Sequence, residues 1–251
     1  MTSESEREHR HLLWALLLTF VLSNIPYGYV ALYPFKIFAT WVHESCHALV
    51  MLVTGAGVDS LAIFPDTSGL AMPSRVVNSA AQVAISSAGY MGTAAFGALF
   101  LWLGRTERGT RWVLTLLGAL MALSAAFAVR NAFGLAAVLG GATALFLIAR
   151  FASERIATFL LNFLAAQSCI NAVLDIRILF GRNLFVDGQP RSQSDADTVA
   201  GIVGGPPALW ATLWLIWSFV LFFLALRWMR VSAKVQPWTA PSSHPPPTSS
   251  W

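Results

Sequence analysis

Two histidines four residues apart, the first followed directly by a glutamate, are the side chains best equipped for chemistry in this 251-residue chain. They stand in Trp41-Val42-His43-Glu44-Ser45-Cys46-His47-Ala48, an H-E-x-x-H pattern with apolar, helix-forming neighbours on both sides. Positions i and i+4 of a helix share one face, so the imidazoles of His43 and His47 can both reach one zinc ion. Glu44 lies about 100° around the helix, placed to serve as a base toward an activated water rather than as a ligand. A chance match is expected about once in four hundred sequences of this length and composition.

A catalytic zinc needs a third protein ligand and one open position. His9, His11 and His244 lie in terminal segments, and Glu107 and Glu154 at the edges of apolar blocks. Asp175, in Ala172-Val173-Leu174-Asp175-Ile176-Arg177, is the acidic residue left within an apolar block and is the expected third ligand. Its structural alternative is an interfacial ion pair with Arg177 or Arg182. Asp66 and Asp59 are the next candidates. If the motif were only structural, His43, Glu44 and His47 would be interhelical hydrogen-bonding groups contributing about 0.6 kcal/mol each. An ionised side chain at mid-membrane costs about 2.5–3.5 kcal/mol, which metal binding offsets and packing does not.

The setting of the motif is apolar throughout. Hydrophobic residues make up 56% of the chain and charged residues 11%, with a mean hydropathy of +0.63, where a soluble domain carries about a quarter charged residues. A net charge of +4 does not indicate nucleic acid, because the arginines sit at the ends of apolar blocks with no stripe that tracks phosphates. Cys46 and Cys169 both lie inside apolar blocks, which argues against a disulfide scaffold. A hydrocarbon core about 30 Å thick takes roughly 20 residues per helix. Apolar blocks run near 12–31, 34–54, 80–103, 112–129, 132–149, 156–180 and 207–228. The expected fold is an all-α polytopic membrane protein of six or seven transmembrane helices. The count turns on Arg130-Asn131, either a tight turn between two short spans or part of one interrupted hairpin. Cationic residues divide almost evenly between the two sides and leave the orientation open.

The chain divides into a charged N-terminal segment at 1–11, a membrane domain at 12–230 with its catalytic core at about 34–180, and a Pro/Ser-rich tail at 231–251 expected to be disordered. The first block reads as a retained helix; a signal peptide is the alternative. Within the domain, Leu61-Ala62-Ile63-Phe64, the turn Pro65-Asp66-Thr67-Ser68-Gly69 and Leu70-Ala71-Met72 form a β-hairpin pattern, re-entrant or interfacial. Ser194 is placed to cap a short helix running to 203. Gly89, Gly92 and Gly97 allow close helix approach in lipid, which could bring Ser86 or Ser87 beside the site.

These motifs resemble the site-2 protease class of intramembrane zinc metalloproteases, especially its compact bacterial-type, peptidase M50B-like members. His43, Glu44 and His47 match that family's first motif in full, and Leu174-Asp175 matches the first two residues of its Leu-Asp-Gly motif, with Ile176 in place of glycine. Asn171 precedes Asp175 by four residues where the family has an Asn-Pro segment; no proline lies between 162 and 175. The hairpin at 59–73 and Ser86-Ser87-Ala88-Gly89-Tyr90-Met91-Gly92 correspond to the family's hairpin and small-residue helix. The resemblance covers about 40–180. It implies one zinc ion per chain held by His43, His47 and Asp175, Glu44 as catalytic base, and a multi-pass location in the cell membrane.

The expected activity is cleavage of membrane-embedded peptide bonds by a metal-activated water, with regulated intramembrane proteolysis as the setting. Asn171, or else Asn162, would donate to the oxyanion or the substrate backbone. The substrate must unwind locally, because a closed helix shields its carbonyls. The hairpin is a candidate edge for pairing with the extended segment; a plain interfacial loop is the alternative. The expected partners are a transmembrane protein or peptide and the lipid bilayer, without nucleic acid. The competing functions are a catalytically inactive relative that binds clients, a metal transporter, and a prenyl-protein endopeptidase. The last is disfavoured because no suitable intramembrane glutamate follows the motif.

Overall fold

A computed structural model describes residues 14, 18–19, 21–22, 25, 27–104, 106–181, 185–186, 189–190 and 194–232, with side chains described outside 169–181, 185–186, 189–190, 222, 225–226 and 228–232. Nine of the twenty residues of the first apolar block and nearly all of the tail lie outside these residues. The chain is mostly helical. Helix α1 spans Gly28–Val53 and a hairpin follows, β1 at Val58–Ile63 and β2 at Gly69–Pro73. Three long helices come next, α2 at Ser79–Leu103, α3 at Glu107–Phe127 and α4 at Ala132–Phe151. Helix α5 covers Glu154–Gly181, a minimal strand pair joins β3 at Phe185–Val186 to β4 at Gln189–Pro190, and α6 (Asp195–Val203) and α7 (Pro207–Ser232) complete the order.

Among the described residues, α2, α3 and α4 are long and apolar enough to cross a membrane. The pair α6–α7 makes a fourth if its two parts, bent by 115°, count as one broken span. In α1 the same residues that carry the chemistry, with Lys36, dilute its apolar character. Arg130-Asn131 proves to be a true boundary: α3 and α4 are separate antiparallel helices joined by Ala128–Asn131. Their far ends are clamped by Arg111, whose guanidinium donates to the carbonyls of Ala149 (2.6 Å) and Ala152 (3.1 Å), satisfying the unpaired end of α4.

The main core lies between α1, α2, α3, α4, α5 and β1, where Leu32, Leu61, Leu101, Leu114, Met121, Val138 and Leu161 are fully buried and Trp41 nearly so. Trp41 resolves its one polar atom by donating to Ser124 Oγ at 2.9 Å, locking α1 to α3. Small residues bring α1 and α2 together, as the sequence pattern implies, with Gly92 set directly against Cys46.

The hairpin forms where alternation predicts it, and its placement explains its stability. Its strands pair antiparallel from Val58 with Pro73 to Ile63 with Gly69, across a turn in which Asp66 Oδ1 accepts from the Ser68 amide at 3.0 Å. Two hydroxyls pin the turn to α1: Thr40 donates to the Thr67 carbonyl and Tyr33 to the Pro65 carbonyl, each at 2.7 Å. The outer edge of β1 is closed by the α3–α4 connection. Leu61 donates to the Ala128 carbonyl (2.9 Å) and accepts from the Arg130 amide (3.1 Å), while the Asn131 amide group brackets Ile63 through both its N–H (3.2 Å) and its carbonyl (2.6 Å). A two-stranded hairpin alone is marginal, and here it is held on two sides.

Asn131→Ala leaves both backbone groups of the fully buried Ile63 without their partner, at a cost of about 1–3 kcal/mol for each group that water does not rescue. Thermal unfolding in detergent is expected to show a clearly lower midpoint for this variant. Arg130→Ala, which removes side-chain bonds from a partly exposed turn, is expected to lower the midpoint much less.

Candidate metal centre

His43 and His47 occupy successive turns of α1, and their side chains meet on the face turned toward α2 and α6. The two Nε2 atoms are 3.1 Å apart. Oδ2 of Asp195 lies 3.5 Å from the first and 3.4 Å from the second. These are the edges of a small, nearly equilateral triangle of electron-pair donors. Tetrahedral zinc with bonds of about 2.0–2.1 Å requires donor–donor edges of about 3.3 Å. Two imidazoles and a carboxylate are also a donor set that zinc accepts, so the residues present fit the ion that the motif implies.

Each donor is oriented by a specific neighbour. His47 Nδ1 lies 2.6 Å from the backbone carbonyl of Ile85 on α2. A carbonyl only accepts, so Nδ1 carries the proton and Nε2 presents its lone pair to the centre. The His43 ring meets Tyr90 edge to face at 4.8 Å, and Tyr90 stacks on Trp214 of α7 at 5.2 Å with an interplanar angle of 12°. His43 is thereby wedged from α2 and α7 at once. Asp195 owes its position to the start of α6: Ser194 Oγ accepts from the Asp197 amide at 3.1 Å, and Asp197 Oδ2 accepts from the Ser194 amide at 2.8 Å. This reciprocal capping box starts the helix at Asp195 and aims its carboxylate at the histidines. Ala196 and Val199 bury the same helix against Tyr90 and Trp214.

Glu44 is not one of the three clustered donors. It is 93% buried, and its side chain runs beneath the start of β2, against Gly69 and beside Thr40. The two hydroxyl anchors of the hairpin are therefore also what set the strand over this carboxylate. His43 and Asp195 keep 16% and 18% of their side-chain surface exposed, whereas His47 keeps 8%, so the triangle is more open on the His43–Asp195 side.

The structure thus brings His43, Glu44 and His47 together on one helix and adds Asp195, which the sequence analysis placed in a capping segment and not among the ligands. Its signal was present in Ser194-Asp195-Ala196-Asp197: a capped helix start with an acidic first residue, ahead of the last apolar block. Nothing in those four residues alone ties the carboxylate to the histidines about 150 residues earlier. Asp175 and Asn171 lie on α5, and their side chains are outside the described residues. Asn162, on the same helix, is buried. Asp59 is exposed on β1, and Asp66 is engaged with Ser68 in the hairpin turn. Ser86 is buried in α2 one residue after Ile85, while the group that reaches the site from this turn is the Ile85 carbonyl.

A family model for Peptidase M50B-like proteins matches residues 12–225 of the chain. No curated protein and no solved structure matches it. The match extends well beyond the H-E-x-x-H motif, from the first apolar block into α7 and so across the segment that supplies Asp195. By that match the chain belongs to the Peptidase M50B-like family, in keeping with the site-2 protease class that its first motif resembles.

Proposed function

We propose that the protein is an intramembrane zinc metalloendopeptidase that hydrolyses peptide bonds of membrane-embedded substrates, with one zinc ion per chain. The observation that carries this reading is the convergence of His43 Nε2, His47 Nε2 and Asp195 Oδ2 on one volume with zinc-compatible spacing. Asp195 takes the ligand role that the sequence alone gave to Asp175. In this reading the chain crosses the membrane six or seven times, with α1, α5 and the first apolar block joining the three to four spans that composition supports. The cell membrane is its proposed location.

Zinc held there supplies Lewis acidity, polarising a carbonyl and making water easier to deprotonate. The residues of the chain supply the rest. His43, His47 and Asp195 bind and are held in place by Tyr90, the Ile85 carbonyl and the capping box. The Glu44 carboxylate accepts the proton of the attacking water and delivers it to the nitrogen of the leaving amine. Asn171 donates to the oxyanion or the substrate backbone, as the resemblance implies.

Substrate alignment follows from the strand register. Leu61 and Ile63 direct their backbone N–H and C=O groups toward the α3–α4 connection, away from β2. Their cross-strand partners, Ala71 and Gly69, stand in non-hydrogen-bonded pairs and project their own groups from the outer edge of β2. An extended substrate segment pairing along this edge passes beside Glu44 at Gly69. A membrane helix exposes its carbonyls only when unwound, and a strand edge stabilises it in that form. The buried Glu44 favours hydrolysis over metal transport and over client binding without cleavage, because neither rival uses a carboxylate in that place.

Purified protein is expected to contain about one zinc per chain. His43→Ala, His47→Ala and Asp195→Ala should each lose the metal and cleavage of a transmembrane reporter peptide, and Asp175→Asn should keep the metal. Full zinc content in Asp195→Ala would reject the ligand set. Glu44→Gln should retain zinc while cleavage falls about 10²–10⁴-fold. Chelation should abolish activity and added zinc restore it, and proteoliposomes should carry no zinc flux.

A further inference from the structure

Two glycines, one on each side of the motif helix, stand where any side chain would collide with the reactive groups. A β-carbon built on Gly89 of α2 would fall 2.5 Å from His47 Nε2 and closer still to His43 Nε2. One built on Gly69 of β2 would fall 2.6 Å from both Cγ and Oε1 of Glu44 and 2.7 Å from Thr40 Cγ2. Ordinary carbon contacts need about 3.5–4.0 Å, so neither position has room for even a methyl group while the site keeps its geometry. Neither glycine has a positive φ, so conformational need does not account for them. Gly140 offers a contrast: it sits within α4 with nothing within 4 Å of its missing β-carbon.

Resting on the zinc-hydrolase reading above, we propose that Gly89 and Gly69 are positioning residues with separable jobs. Gly89 keeps open the space between the imidazoles that a cation must enter, and Gly69 lets the substrate-binding edge descend onto Glu44 without displacing its carboxylate. The separation follows from what each missing atom would strike. At position 89 the obstacles are the two ligand nitrogens and a ring carbon of His43, whereas at position 69 they are the Glu44 side chain and the Thr40 methyl group.

The two halves of the centre are therefore built by different elements. Helix α2 fixes metal access through Gly89 and the Ile85 carbonyl, one turn apart on the same helix. The hairpin fixes the base through Gly69 and the Thr40–Thr67 hydrogen bond. A methyl group added to α2 shifts the imidazoles and leaves the base beside the strand. The same group added to β2 shifts the base and leaves the three ligands together.

The test uses the full chain in detergent, measuring zinc content and cleavage of a transmembrane reporter peptide for Gly89→Ala, Gly69→Ala and the control Gly140→Ala. Gly89→Ala is expected to hold less than about a tenth of the wild-type zinc and to lose cleavage, because its donors can no longer close on the ion. Gly69→Ala is expected to keep full zinc with kcat lowered about 10²-fold and KM within about twofold, the signature of a displaced catalytic group. Gly140→Ala should match the wild type in both. Full zinc in Gly89→Ala, or unchanged kcat in Gly69→Ala, overturns the proposal. If Gly89→Ala fails to fold, Gly69→Ala decides alone: full zinc with the lowered kcat supports the separation of the two jobs, and unchanged kcat or lost zinc overturns it. A wild-type protein that neither binds zinc nor cleaves instead rejects the functional reading itself.

Discussion

Three lone-pair donors held 3.1–3.5 Å apart repel one another unless a proton or a cation lies among them, and the rest of the fold works against that repulsion. His43 and His47 are brought together by helix geometry alone. Asp195 arrives from a separate helix about 150 residues later in the chain. Its approach is stabilised by the packing of Ala196 and Val199 on Tyr90 and Trp214, and by a capping box that starts α6 where the carboxylate must be. Such a cluster in apolar surroundings is stable when a charge of opposite sign compensates it.

That requirement explains which parts of the bundle are rigid. Helix α2 approaches α1 closely because its small residues fall at the contact, and the same turn orients one ligand through a backbone carbonyl. The hairpin is tied to α1 by Thr40 and Tyr33 and to the α3–α4 connection by Asn131. Glu44 is thus fixed relative to β2 by contacts that involve neither histidine. The core around Trp41 and Ser124 keeps the motif helix from rotating about its axis, which would turn the imidazoles away from Asp195.

The sequence made the motif, the helical blocks and the hairpin legible because each depends on short-range periodicity. H-E-x-x-H fixes a shared helix face at a spacing of four, and alternation through Leu61-Ala62-Ile63 fixes strand faces at a spacing of two. The helix after Ser194 was legible for the same reason, since a capping box is written in four consecutive residues. The contact of Asp195 with the histidines was not, because it depends on how α6 and α7 bend at Gly204-Gly205-Pro206 and return to α2, a long-range outcome that no local pattern encodes. Asp175 is marked by its place within an apolar block, whereas Asp195 opens a short helix folded back against the bundle and reaches the histidines without lying in an apolar run. The roles of Gly89 and Gly69 were equally out of reach, since a small residue in a membrane helix has an ordinary packing use until the atoms opposite it are known.

The closed flank of β1 has one more consequence. With the connection at 128–131 occupying one side of the hairpin, β1 offers no free edge to a further strand. Copies that met edge to edge along β2 would stop at a pair, because the covered flank of β1 gives a growing ribbon nowhere to continue.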